Sequence, residues 1–174
     1  MSFLFYAIDP AGAAPLDAAL PADVGLRWWR PALDGLPPRG PNRGRNLCWW
    51  GLHRLGLLAD RRFAELSLWC GGRALHRLVL TPRWHRFPFM ADGDLQIGDV
   101  WTAPDARGRG FAWAAIGEAL RAGAGARRLW YVVDAANVAS VHLIERAGFA
   151  RVGIGRRTRP LGIALAGRFV PDEG

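Results

Sequence analysis

Residues 94–112, DLQIGDVWTAPDARGRGFA, constrain the fold more than any other stretch. Leu95, Ile97, Val100, Trp101 and Thr102 suit a buried strand, Pro104 and Asp105 a turn, and the residues from Gly108 onward repeat with helical spacing. A strand, a glycine-bearing loop and a helix N-terminus are predicted in that order. The first turn of a helix carries backbone N–H groups with no intrahelical acceptor. Gly108 and Gly110 remove the side chains that would keep a bulky anion away from them. A phosphate fits such a loop, and so does the plainer reading of a basic loop capping a helix.

The surrounding segments supply a sheet for this unit. Residues 3–8 read as a first strand, 61–70 and 74–80 as an antiparallel pair turning at Gly71-Gly72, and 129–133 as a continuous apolar strand covered on both faces. Helices are expected over 46–58, with Leu47, Trp50, Leu55 and Leu58 as apolar positions, over 108–122, and in a short span ending at Gly148. Residues 152–157 and 163–169 suit a terminal hairpin. Prolines and glycines make 10–45 an irregular segment, in which 24–30, with Trp28-Trp29, is either a short amphipathic piece over a cleft or a loop tacked to the core. The class is mixed α/β with a central twisted sheet. At 174 residues one domain spanning 1–174 is expected, since a chain of this size buries roughly 70% of its unfolded surface.

The formal charge is +8, and all 23 basic residues are arginine, whose guanidinium groups grip phosphate or carboxylate bidentately. An anionic ligand is favoured. The arginines are dispersed rather than clustered in an arm or recognition helix, which argues against nucleic acid. Cys48 and Cys70 form no metal or disulfide pattern, and His53, His76, His85 and His142 do not fall at ligand spacing, so no metal site is expected. No apolar run reaches the ~20 residues that span a bilayer, and a cytoplasmic protein is expected.

Arg107, Gly110 and Ala112 form R-x-x-G-x-A behind Val100-Trp101-Thr102-Ala103-Pro104. The pattern resembles the acyl-CoA-binding motif of the GCN5-related N-acetyltransferase (GNAT) superfamily. Asn137-Val138-Ala139-Ser140, followed by Ile144-Glu145-Arg146-Ala147-Gly148-Phe149, is similar to that family's second signature. The resemblance implies a central twisted, mostly antiparallel sheet whose splayed central strands are flanked by helices, with acetyl-CoA or another acyl-CoA as co-substrate. Val100 and Thr102 would then offer backbone to the pantetheine arm, and Arg107, Gly108, Arg109, Gly110, Phe111 and Ala112 would hold the pyrophosphate. Asn137 would approach from the other wall.

The implied reaction is N-acetylation of a small-molecule amine such as an amino sugar, and it needs a neutral nucleophile. Freeing the lone pair of an alkylammonium of pKa ~10.4 at pH 7 costs roughly 4.6 kcal/mol. Family members often place Glu or His where this chain has Gln96, so Asp99 stands as the candidate base, against the alternative that it pairs with an arginine. Gly98 suggests a bulge that would set the face Asp99 presents. Ile144 stands where the family frequently has a tyrosine acid, which leaves Ser140 as the nearest hydroxyl. In the aromatic, cationic segment 83–90, His85 and Arg86 are candidates for the acceptor side, where neutral or anionic amines would suit better than polycations. Two alternatives stay open: a CoA-binding or regulatory protein with weakened catalysis, and an acyltransferase working at a membrane surface or on a large substrate. A homodimer is compatible with either.

Overall fold

The computed structural model describes residues 2–38, 42–158 and 167–172. Among them, the strands are β1 (Ser2–Ile8), β2 (Gly25–Trp29), β3 (Ala64–Cys70), β4 (Arg73–Pro82), β5 (Leu95–Thr102), β6 (Leu129–Asp134), β7 (Ala150–Arg157) and β8 (Phe169–Pro171). The helices are α1 (Arg43–Arg54), α2 (Phe111–Ala122) and α3 (Val138–Arg146). The strands form one eight-stranded sheet in the order β2-β3-β4-β5-β6-β1-β7-β8, antiparallel throughout except where β5 runs parallel to β6. β1 therefore lies inside the sheet, between β6 and β7.

One face of the sheet carries α2 and α3. Leu66, Leu78, Ile97, Leu129, Tyr131 and Val133 pack there against Ala115, Ile116, Ala119 and Ile144. Each fully buried aliphatic side chain contributes roughly 1.5–3 kcal/mol by leaving water. The other face is aromatic, with Trp29, Trp49, Phe63 and Val79 in one cluster and Phe87, Met90, Trp130 and Ala7 in another.

Several expectations are revised. Residues 24–30 supply the edge strand β2, paired through Gly25↔Trp69 to Trp29↔Glu65, rather than an amphipathic piece over a cleft or a loop tacked to the core. α1 begins at Arg43, with Asn42 as its cap residue, and ends at Arg54. Its buried positions are Asn46, Trp49 and His53, while Leu47 and Leu55 face solvent. The reason is polar: Asn46 donates to the buried Glu65 at 3.0 Å and turns that face inward. α2 begins at Phe111, not Gly108, because Gly108 (φ 73°) and Gly110 (φ 79°) are left-handed and cannot continue a right-handed helix. Of the terminal hairpin, β8 starts at Phe169, and the expected positions 163–166 lie outside the described residues.

Asp94 anchors the start of β5. Its buried carboxylate accepts from Trp130 Nε1 (2.8 Å), from the Arg127 guanidinium (2.9 and 3.0 Å) and from the Ala91 amide (2.9 Å). Four donors satisfy a carboxylate that burial alone would penalise heavily. The register of β5 against β6 is fixed from this end.

Candidate active site

β5 and β6 pair only at Leu95↔Leu129, Gln96↔Trp130 and Ile97↔Tyr131. Beyond Ile97 the strands diverge. The cause lies in β5, where the ladder with β4 slips between Arg77 and Val79 and Asp99 adopts φ 48°. A bulge at Asp99-Val100, directly after Gly98, bends the strand away from β6. The β6-facing edge of Val100–Thr102 is thus left without a strand partner, while its other edge pairs to β4 through Trp101↔Arg77 and Thr102↔His76.

On the helix face, the opening widens into a cleft of about 640 Å³ between the glycine loop and α3. Val100, Thr102, Arg107, Gly108, Gly110, Phe111, Ala112, Asn137 and Ser140 all line it, so most of the residues singled out from sequence are brought together. Arg109 does not line it; its guanidinium lies over the Phe111 ring at 5.1 Å. No side chain caps α2, and its first turn holds no acidic residue, so this N-terminus presents free amides and a positive dipole end to the cleft. Such a cleft accepts an anion at its glycine end and an extended chain along the open edge of β5.

Asn137 caps α3, its Oδ1 accepting from the Ser140 amide at 3.2 Å. α3 turns Asn137, Ala139, Ser140 and Leu143 to the cleft, whereas Ile144 is fully buried in the core. A smaller cavity of about 220 Å³ continues inward between the diverging strands, bounded by Gly98, Asp99, Tyr131, Val132 and Ser140. Tyr131 was not foreseen as a site residue. Burial pushes its phenol pKa up, the neighbouring Ser140 side chain acting in the opposite sense, so the phenol stays protonated beyond the ordinary tyrosine range. In sequence it was one letter of a continuous apolar strand, and no periodicity marked it.

Gly98, Asp99 and Val132 also border a cavity of about 430 Å³ on the aromatic face, so the wedge passes through the sheet. Gln96 lines this cavity, its Nε2 donating to its neighbour's Ile97 carbonyl at 2.7 Å. The Asp99 carboxylate is held by guanidinium groups. Its Oδ2 accepts from Arg45, from Arg77 Nε (3.4 Å) and from Asn42 Nδ2 (3.1 Å), and Arg45 bridges onward to Glu65 at 2.7 Å. The two residues proposed together for the acceptor side separate: Arg86 lines this cavity, and His85 lines an outer one of about 870 Å³ beyond Trp49 and Trp84. No cluster of three or more potential metal ligands occurs among the described residues.

The sequence model of the acetyltransferase (GNAT) family matches residues 34–149, two thirds of the chain and all of this wedge. The chain belongs to the GNAT family. Solved structures agree with that fold at low identity. A Drosophila protein matches with a TM-score of 0.59 at 18% identity, over 88% of this chain and 48% of its own. A GCN5-related N-acetyltransferase from Sphaerobacter thermophilus gives 0.57 at 19%, over 88% and 49%. A tandem GNAT protein from the clavulanic acid biosynthesis pathway gives 0.56 at 13%, over 86% and 50%. This GNAT chain thus spans about half the length of those structures. No curated protein matches it. No helix among its described residues is long and apolar enough to cross a membrane.

Proposed function

We propose that residues 1–174 form one cytoplasmic acyltransferase domain that moves an acyl group, in the simplest case acetyl, from acyl-CoA to the nitrogen of a small amine. The observation that carries this reading is the wedge itself: a glycine-loop cleft on one face of the sheet meets a separate aromatic cavity on the other face through the gap between β5 and β6. Two substrates entering from opposite faces would meet at Gly98 and Val132. Acyl-CoA supplies an activated thioester. Gly108, Gly110 and the amides of Phe111 and Ala112 would hold its pyrophosphate, with Arg107 beside them, and the open edge of Val100–Thr102 would pair with the pantetheine amides as an added strand does.

In the transfer, the amine nitrogen forms the new C–N bond, the C–S bond breaks, and the ammonium proton leaves. The thiolate needs a proton in return. Tyr131 is a protonated phenol at the wedge, and Ser140 lies between its hydroxyl and the cleft, so this pair is proposed as the donor route. Asp99, charge-neutralised by Arg45 and Arg77, is proposed to position rather than to deprotonate, and Gln96 to shape the acceptor wall. The amine would then arrive already neutral. Holding the two reactants together supplies roughly 7–11 kcal/mol, more than the 3–5 kcal/mol of one acid or base. The test is calorimetry with CoA and a thiol-release assay over an amine panel. Heat on CoA addition with turnover of at least one amine is expected; no CoA binding by the folded protein would overturn the reading.

A further inference from the structure

The aromatic-face cavity has an electrostatic imbalance. Its walls are rings: Trp49, Phe63, Trp84, Phe87 and Phe169. Three ionised side chains reach it. Arg45 is matched by Glu65 and Asp99, and Asp99 by Arg45 and Arg77. Arg86 is matched by nothing: among the described residues it has no carboxylate within ion-pair distance, and its buried Nε has no hydrogen-bond partner. Its guanidinium lies over the Trp84 ring at 5.4 Å, and the side chain lines the cavity. Burial, and then the nearby Arg157 charge, both push its pKa below the ordinary arginine value.

We propose that the acceptor is an amine that also bears a single carboxylate and an apolar or aromatic body, such as a large apolar amino acid, with the carboxylate on Arg86. This deepens the acyltransferase reading and rests on it. A planar guanidinium matches a carboxylate with two parallel hydrogen bonds. A phosphate dianion would bring a heavier desolvation cost among five aromatic rings. The volume of about 430 Å³ lies in the range of small-molecule sites and suits a compact body stacked on the rings. With the carboxylate at Arg86, the amine is left to face Gly98 and Val132, where the cavity meets the wedge. The products are an N-acyl amino acid and free CoA: the nitrogen, cationic once the C–N bond forms, gives its proton to solvent water, the thiolate takes one from Tyr131, and the Tyr131 phenolate regains one from solvent.

The experiment compares three acceptors of one shape in a thiol-release assay: phenylalanine, phenylalaninamide and phenethylamine, with glucosamine 6-phosphate and spermidine as further arms. Phenylalanine is expected to have the highest kcat/KM. In Arg86→Gln its KM should rise about tenfold or more with kcat little changed, while phenethylamine is unaffected, and Arg86→Lys should recover part of the loss. Should Arg86→Gln fold poorly, calorimetry of phenylalanine against phenethylamine on the CoA-loaded wild type gives the same comparison. Equal or better use of phenethylamine, phenylalaninamide, the sugar phosphate or spermidine overturns the carboxylate assignment while leaving acyl transfer standing. If folded protein neither binds CoA nor turns over any amine, acyl transfer falls and this proposal falls with it.

Discussion

Ile97 and Tyr131 form the last paired rung between β5 and β6, and beyond them the two strands share no ladder. The rung closes the core on one side and opens the wedge on the other, so the Tyr131 ring is buried with Leu66 and Ile116 while its strand neighbour Val132 borders both inner cavities. Chemistry and packing meet at one residue pair.

Replacing Tyr131 by Phe removes only the hydroxyl. The ring stays in its packing, so stability should change by less than about 1 kcal/mol. If the phenol reprotonates the leaving thiolate, kcat should fall about 10²-fold with KM for acyl-CoA unchanged. Because burial raises the phenol pKa, loss of the donor should cut the wild-type rate only as pH rises past that raised value. A pH–rate profile identical in the two proteins would remove Tyr131 from the donor route.

Gly110 sits at φ 79°, and a Cβ built there meets nothing within 4 Å, so the penalty for a side chain is conformational and falls on the open ligand space. Gly110→Val should cost about 1–2 kcal/mol in backbone strain and weaken CoA binding by about tenfold or more. Calorimetry on the folded variant measures this; unchanged affinity would dissociate the loop from CoA.

Asp99→Asn separates two roles. A general base is worth 10²–10⁴ in rate, whereas a carboxylate already matched by Arg45 and Arg77 should cost less than about tenfold when made neutral. The rate of wild type and variant alike should climb with pH toward the pKa of the amine, as expected when only free amine reacts. A loss near 10³-fold, with that slope flattened, would restore Asp99 as the base.

His76 gives a stability test away from the wedge. It is fully buried on β4 opposite Thr102, its Nδ1 sharing a 2.8 Å hydrogen bond with the Thr102 hydroxyl, and burial with the adjacent Arg77 charge lowers its pKa to about 4. The native state therefore resists a proton that the unfolded chain, near 6.5, accepts. Stability should be intact above about pH 6.5 and decline as pH falls toward 4, by about 2 kcal/mol between pH 7 and pH 5 from this group. Urea unfolding at the two pH values should show that drop in wild type and a smaller one in His76→Gln.

Much of the wedge was legible because its signals are local. A glycine at positive φ, a cap asparagine and an apolar run each act within a few residues, and Gly108, Gly110, Asn137 and 129–133 announce themselves by type alone. What was not legible depends on partners far along the chain. Asn46 is buried because Glu65 accepts its hydrogen bond, so α1 hides an asparagine and a histidine and exposes Leu47. β2 is an edge strand because β3 offers it a ladder, a fact that prolines on either side conceal. His85 and Arg86 are neighbours in sequence, yet the turn at Trp84–Phe87 sends them to different cavities. No pattern reading separates two such residues.

The inner position of β1 also dictates the order in which the molecule can assemble. Phe3 pairs with Asp134 on one side and Gly155 on the other, so β1 leaves the ribosome well before both of its partner strands and waits for them before either of its edges is satisfied. Until then Phe3, Phe5 and Tyr6 stand in a nascent chain with two unpaired edges, the arrangement most open to wrong pairing with another copy. Closing loops of that length before any contact rewards them slows the search. The β2–β5 half, whose neighbours in the sheet are also neighbours in sequence, has no such wait and is expected to be the part that forms during synthesis.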